Sequence, residues 1–191
     1  RVAGAIGLLL ISPLLAATAL AIRLDSPGPV FYTQTRVGQD GKPFTMWKFR
    51  SMYIDSDARR ASVVKAGGDA GNEVMFKDRQ DPRITHVGRW IRRLSIDELP
   101  QLINVVRGDM SLVGPRPALP VEVAKYDTEA LRRLLVKPGL TGLWQISGRS
   151  DLSWASTVAL DRHYVENRGG ALDAKIFAGT LRAVIGGKGA Y

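Results

Sequence analysis

The chain opens on an unbroken apolar run: from Val2 to Ile22 no residue is charged, and Arg1 and Arg23 bracket it. At about 1.5 Å per residue this makes a helix of roughly 32 Å, the thickness of a bilayer core. Length and composition alone therefore favour a plain transmembrane span. A signal peptide fits less well, because the run is long and no small-x-small cleavage site leads into a separate domain. Ser12-Pro13 stands at the midpoint. Proline removes one backbone hydrogen bond and presses its ring on the carbonyl of Leu9, which bends a helix; a neighbouring serine can bond back to the backbone and ease the bend. Both flanks are basic, so positive-inside asymmetry does not assign them to opposite sides. A helix that turns at Ser12-Pro13 and leaves by the face it entered accounts for these features, and so does a kinked span.

Past the turn cluster Asp25-Ser-Pro-Gly-Pro29, two β-rich runs, Val30–Arg36 and Phe44–Arg50, flank Gln39-Asp-Gly-Lys42, whose Asp-Gly pair signals a tight hairpin. Asp55–Lys65 reads as a short polar helix and Asp69–Asn72 as a loop. Val87, Trp90, Ile91 and Leu94 fall at helical spacing within Thr85–Leu94. Leu99, Leu102, Ile103 and Val106 form a second stripe closed by Gly108. Gly114-Pro-Arg-Pro117 is a rigid loop, and helices are predicted over Val121–Val136, Ser153–Asn167 and Ala171–Ile185. The pattern is α+β: a mostly helical, membrane-associated domain with one small β-hairpin. Residues 1–24 form the anchor and 25–191 one further domain, a size that suits the 191-residue chain.

Charge narrows the partners. A formal net charge of +9 suits a polyanion, whether nucleic acid, an anionic membrane or phosphorylated substrates. Nucleic acid is disfavoured by the anchor and by the lack of a recognisable binding module. Without cysteine there is no disulfide or thiolate metal site, and the two histidines, His86 and His163, are too few for a histidine cage.

The chemistry concentrates in Leu94-Ser-Ile-Asp-Glu-Leu-Pro-Gln101. Ser95-x-x-Glu98 has the form of a capping box, with Leu94 and Leu99 as its hydrophobic staple. Placing the N-cap at Asp97 instead puts Pro100 at the third helical position, where its missing N–H costs nothing; that placement is the expectation. Arg83, Arg89, Arg92, Arg93, Arg107 and Arg116 lie within twenty residues of the pair. Arginines and free helix-start amides bind phosphate. Adjacent carboxylates beside phosphates call for a divalent cation, for which Mg2+ is the usual choice, and the chemistry that follows is phosphoryl transfer. Plainer readings stand beside these. Arg92-Arg93 and Arg132-Arg133 suit solvated helix faces, the four tryptophans suit core positions, Gly114–Pro117 suits a stiff turn, and Asp109 suits a cap.

Four motifs then occur in order: Asp81-Pro-Arg-Ile-Thr85, Ser95-x-Asp-Glu-Leu-Pro-Gln-Leu102, Gly108-Asp-Met-Ser-Leu-Val-Gly-Pro-Arg-Pro117 and Lys137-Pro-Gly-Leu-Thr-Gly-Leu-Trp-Gln145. With Ser12-Pro13, Lys48-Phe-Arg-Ser-Met52 and the closing Gly189-Ala-Tyr191, the chain resembles the bacterial sugar transferases, the monotopic phosphoglycosyl transferases, nearly end to end. The resemblance implies transfer of a hexose 1-phosphate from a UDP-sugar to undecaprenyl phosphate, releasing UMP and initiating exopolysaccharide, O-antigen or capsule assembly. It implies Asp97 as nucleophile, Glu98 as Mg2+ ligand, Arg92 and Arg116 as phosphate-binding groups, and Asp161 as a further functional acid. It turns the anchor into a re-entrant helix broken at Ser12-Pro13, with the catalytic domain on the cytoplasmic face of the bacterial inner membrane. Basic residues and Trp144 or Trp154 would meet membrane lipid headgroups. A homodimer is left open, and a membrane-anchored basic adaptor without catalysis is the rival reading.

Overall fold

The structure, a computed structural model, describes residues 1–56, 58, 81–148 and 152–185. The polar helix expected from Asp55 lies, beyond its first residues, outside these, as do the loop at Asp69–Asn72 and the closing Gly189-Ala-Tyr191. Helix α1 (Val2–Asp25) takes in the whole apolar run. It continues through Ser12-Pro13, and the Ser12 hydroxyl donates to the Leu9 carbonyl at 2.8 Å, the acceptor that Pro13 leaves without its amide.

The helix does not stand away from the rest of the chain. Gly4 comes so close to Val105 that a Cβ there would lie 2.9 Å from its methyl, and Gly7 faces Leu102. Leu8 and Ile11 pack on the cluster of Leu102, Val105 and Met110; Leu15 and Ala19 pack on that of Ile22, Phe49 and Ile91. The domain thus covers one side of α1 along most of its length. Val2, Ile6, Leu9, Leu10, Leu20 and Leu24 are exposed on the remainder, an apolar surface that water would penalise and lipid accepts. The Arg50 guanidinium holds the C-terminal end, donating to the Ser26 carbonyl at 2.7 Å and to its hydroxyl at 3.0 Å.

Strands β1 (Phe31–Val37) and β2 (Pro43–Phe49) form the expected antiparallel hairpin, Tyr32 opposite Lys48 and Arg36 opposite Phe44. Asp40 and Gly41 both have positive φ, 57° and 75°, as a tight Asp-Gly turn requires. Helix α2 (His86–Arg93) starts where Thr85 accepts the Gly88 amide. Asp25, at the end of α1, accepts the Val87 amide at 3.0 Å, so α1 caps α2. After a 3-10 turn (Ile96–Gln101), α3 (Leu102–Arg107) closes on Gly108 at φ 93°. Asn104 of α3 is fully buried and satisfied: its side-chain nitrogen donates to the Thr45 carbonyl and to Asp109, and its oxygen accepts the Trp47 amide, which fastens α3 to β2.

Two short parallel strands, β3 (Ser111–Val113) and β4 (Gly139–Thr141), were absent from the pattern. They join two of the sequence motifs through backbone bonds, Gly114 N–H to the Thr141 carbonyl and Gly139 N–H to the Pro115 carbonyl, both 2.8 Å. A Cβ on Gly139 would lie 2.1 Å from the Gly114 nitrogen, so only glycine permits the approach. The helix predicted over Val121–Val136 is instead three pieces: α4 (Pro120–Val123), α5 (Thr128–Leu131) and a 3-10 turn over Arg132–Leu135. Asp127 interrupts it, its carboxylate starting a new helix by accepting the Ala130 amide. Helix α6 (Leu143–Ser147) was not expected. The last two helices, α7 (Trp154–Asn167) and α8 (Gly170–Ile185), stand where predicted. The fold is α+β with an N-terminal membrane helix.

Candidate active site

The 3-10 turn that carries Asp97 and Glu98 packs on β2. On one side Ile96 packs with Leu15 and Ala19 around the Ile22 cluster; on the other Leu102 packs with Leu8 and Ile11. The residues that flank the carboxylate pair, Ile96 and Leu102, thus pack into the two clusters that line α1. Asp97 is not the N-cap. Ser95 takes that position in a left-handed conformation, φ 55° and ψ 21°, with no cap bond from its side chain, so the capping box does not form either. The reason is continuity with α2: the Ser95 amide still bonds the Arg92 carbonyl at 3.0 Å, and the chain reverses there into a tight turn. Pro100 has no N–H to extend that turn, and regular α-helix begins two residues on. A non-glycine residue at positive φ stores strain of order 1 kcal/mol or more, here two residues before Asp97.

Glu98 is gripped by Lys48 of β2, Nζ to Oε1 at 2.6 Å. Asp97 stands half-buried beside it. Loss of hydration, then the neighbouring Glu98 charge, push Asp97 up to about 6, against the pull of Lys48 and Arg92. At neutral pH it is nevertheless mostly ionised. A carboxylate so poorly hydrated and so close to a second one is a stronger nucleophile than a solvated surface aspartate.

The hairpin register places Tyr32, Gln34, Arg36 and Lys48 on one face, and the Arg36 guanidinium there senses Glu98, Arg116 and Glu122. Arg116 comes from the loop between the two prolines. It meets both oxygens of Glu122 at 3.1 and 3.2 Å, and Glu122 is itself fixed by accepting the Leu119 amide at 2.7 Å. Of the arginines near the pair in sequence, Arg92 acts on Asp97, whereas Arg83 is wrapped around Asp81, Arg93 lies over Trp90, and Arg107 lies over Trp47. Arg36, Lys48 and Glu122 were not chosen as site residues from the sequence. The alternation Tyr32-x-Gln34-x-Arg36, a polar face in an otherwise β-rich run, was the available signal.

Asp161 lies elsewhere in the network. It is fully buried on α7 and pairs with Arg133 at 2.7 Å, while Arg133 donates to the Tyr126 hydroxyl and lies over the rings of Tyr126 and Trp154, 5.5 and 5.3 Å from their centres. Burial pushes its carboxyl up to about 6 in spite of the arginine. Of the tryptophans expected at headgroups, Trp144 is buried and Trp154 packs on Tyr126; Trp90, 65% exposed on α2 beside Arg93, faces outward instead.

No group of three or more His, Cys, Asp or Glu side chains among the described residues is arranged around a metal. Asp97 and Glu98 nevertheless fit Mg2+, which takes one or two carboxylates and completes its shell with water and substrate phosphate.

Comparison with known proteins identifies the family of the chain. The bacterial sugar transferase family matches residues 1–187. The chain is 43% identical to the exopolysaccharide production protein ExoY of Rhizobium meliloti over 191 residues, 99% of this chain and 84% of that one. It is 43% identical to the undecaprenyl-phosphate galactose phosphotransferase of Salmonella typhimurium, covering 96% of this chain and 39% of the relative. Identity is 44% to the undecaprenyl-phosphate glucose phosphotransferase of Komagataeibacter xylinus, 96% of this chain and 34% of the relative. The chain thus spans most of the first relative and less than half of the other two, and it belongs to the bacterial sugar transferase family.

Proposed function

We propose that the protein transfers a hexose 1-phosphate from a UDP-sugar to undecaprenyl phosphate on the cytoplasmic face of the bacterial inner membrane, by way of an aspartyl intermediate. The observation that carries this reading is the Asp97–Glu98 pair, with Asp97 poorly hydrated and set among cations, on a turn whose flanking residues pack into the clusters that line an apolar helix. An Asp97 oxygen attacks the phosphorus that bears the sugar. The bond to the bridging oxygen breaks, and UMP leaves with the electron pair. The acyl phosphate so formed is reactive enough to be cleaved by a phosphate oxygen of undecaprenyl phosphate, which yields the lipid diphosphosugar and returns Asp97 as carboxylate.

Lys48 holds the Glu98 carboxylate by a charge-assisted hydrogen bond. Arg92 and Arg116 neutralise the diphosphate and hold it for in-line attack. Glu98, with Asp97 beside it, would hold a Mg2+ ion, which would supply charge neutralisation at the leaving group. The covered side of α1 ties the anchor to the site, and a re-entrant course through the bilayer puts the lipid phosphate at the depth of Asp97.

The test incubates the protein with labelled UDP-galactose, UDP-glucose and N-acetylated UDP-hexoses, without lipid acceptor. Label is expected to stay covalently bound with one of them and to vanish in Asp97→Asn. Wild-type turnover in that variant would exclude Asp97 as nucleophile, and a wild-type protein that neither takes up label nor turns over any of these sugars would leave the adaptor reading standing.

A further inference from the structure

Arg36 is 8% exposed, and both ends of its guanidinium are occupied. One nitrogen donates to the Pro117 carbonyl at 3.0 Å and the other to the Gln34 side-chain oxygen at 2.6 Å. Pro117 directly follows Arg116, and the next carbonyl, that of Ala118, accepts the Val37 amide at 2.9 Å. The loop that carries Arg116 is thus hung from β1 at two consecutive carbonyls, one of them held by a charged side chain. Burying a guanidinium is costly unless a carboxylate meets it. Among the described residues none is in contact with Arg36. Glu122 is engaged by Arg116 and Glu98 by Lys48. Arg116 and Arg36 repel each other, which together with burial pulls Arg36 down to about 10. Arg36 therefore lies beside a second guanidinium with no carboxylate of the described residues in contact with it, and the carboxylates whose fields reach it, Glu122 and Glu98, are paired to other cations.

We propose that Arg36 is a positioning residue for Arg116: it fixes the Gly114–Pro117 loop to the hairpin, and the positive charge it adds makes the cluster a receptor for the diphosphate of a nucleotide sugar. This rests on the UDP-sugar reading above. A neutral side chain could make the same two hydrogen bonds, but it would not leave the cluster an anion short.

A double-mutant cycle tests it on the full chain in detergent micelles, with UDP as the probe and calorimetry as the readout. Arg36→Gln is expected to weaken UDP about tenfold and Arg116→Ala by about as much or more. If Arg36 works through Arg116, the double variant binds UDP within about twofold of Arg116→Ala alone. Losses that multiply in the double variant, or an Arg36→Gln protein with wild-type affinity, overturn the assignment. Should Arg36→Gln fail to fold, Arg36→Lys runs the same cycle, keeping the charge while giving up one of the two bonds. Wild-type protein that binds no UDP overturns the nucleotide-sugar reading itself, and the proposal with it.

Discussion

Replacing Asp97 with asparagine should make the protein more stable as it abolishes transfer. Asparagine has the shape of the neutral acid, so the change removes only the cost of ionising a poorly hydrated carboxylate beside Glu98. The folded-state pKa is raised, from 3.8 to about 6. Its favourable contribution is full below 3.8, where both states are protonated, and is lost as pH rises through about 6. Above that the wild type carries a cost of about 3 kcal/mol for the shift of roughly two units, and the asparagine variant would carry none. For a chain of this length that is a gain of about 6–12 °C in Tm. The assay is thermal unfolding of both proteins at pH 4 and pH 8, with divalent cations chelated. The two should melt together at pH 4 and diverge at pH 8. Equal melting at pH 8, or the same gap at pH 4, would refute the claim that burial and Glu98 destabilise the ionised carboxylate. Mg2+ should narrow the pH 8 gap, because it stabilises the wild-type pair more than the half-neutral one.

Lys48→Met should move the rising limb of the pH profile of covalent labelling above 6, since Lys48 is one of the two cations that hold Asp97 down; a limb that stays in place would remove Lys48 from the site. Asp161→Asn leaves Arg133, 3% exposed, without its counter-charge, and should cost about 3–5 kcal/mol in chemical denaturation; wild-type stability would mean that the buried pair is not structural. Trp90→Ala should reduce co-sedimentation with anionic vesicles while leaving UDP binding intact, and unchanged sedimentation would show that α2 does not face the headgroups.

Local rules and their limits separate cleanly in particular elements. The apolar run, the Asp-Gly hairpin, the Thr85 start of α2, the Gly108 stop and the last two helices were legible because each depends on neighbours within a few residues. The Val121–Val136 helix was misread because Asp127 offered the backbone a local alternative that apolar spacing does not register. Ser95 was weighed as a cap, but its left-handed turn was not foreseen, because an N-cap prediction assumes an extended residue, whereas this one must turn the chain directly off the end of α2.

What the sequence by itself determined was the set of parts: a membrane helix, four ordered motifs, and a carboxylate pair whose family resemblance points to sugar transfer. Which parts work together was decided only in three dimensions. The cross-strand register brings Lys48 onto Glu98 and puts Arg36 on the same face; the close approach of Gly114 and Gly139 joins two distant motifs; Arg133 draws Asp161 into the interior. Lys48 and Glu98 lie 50 residues apart, and Arg36 and the Pro117 carbonyl it holds 81, and no periodicity encodes such pairings. They follow from burial: a charge taken out of water must find its partner wherever the packed chain happens to supply one.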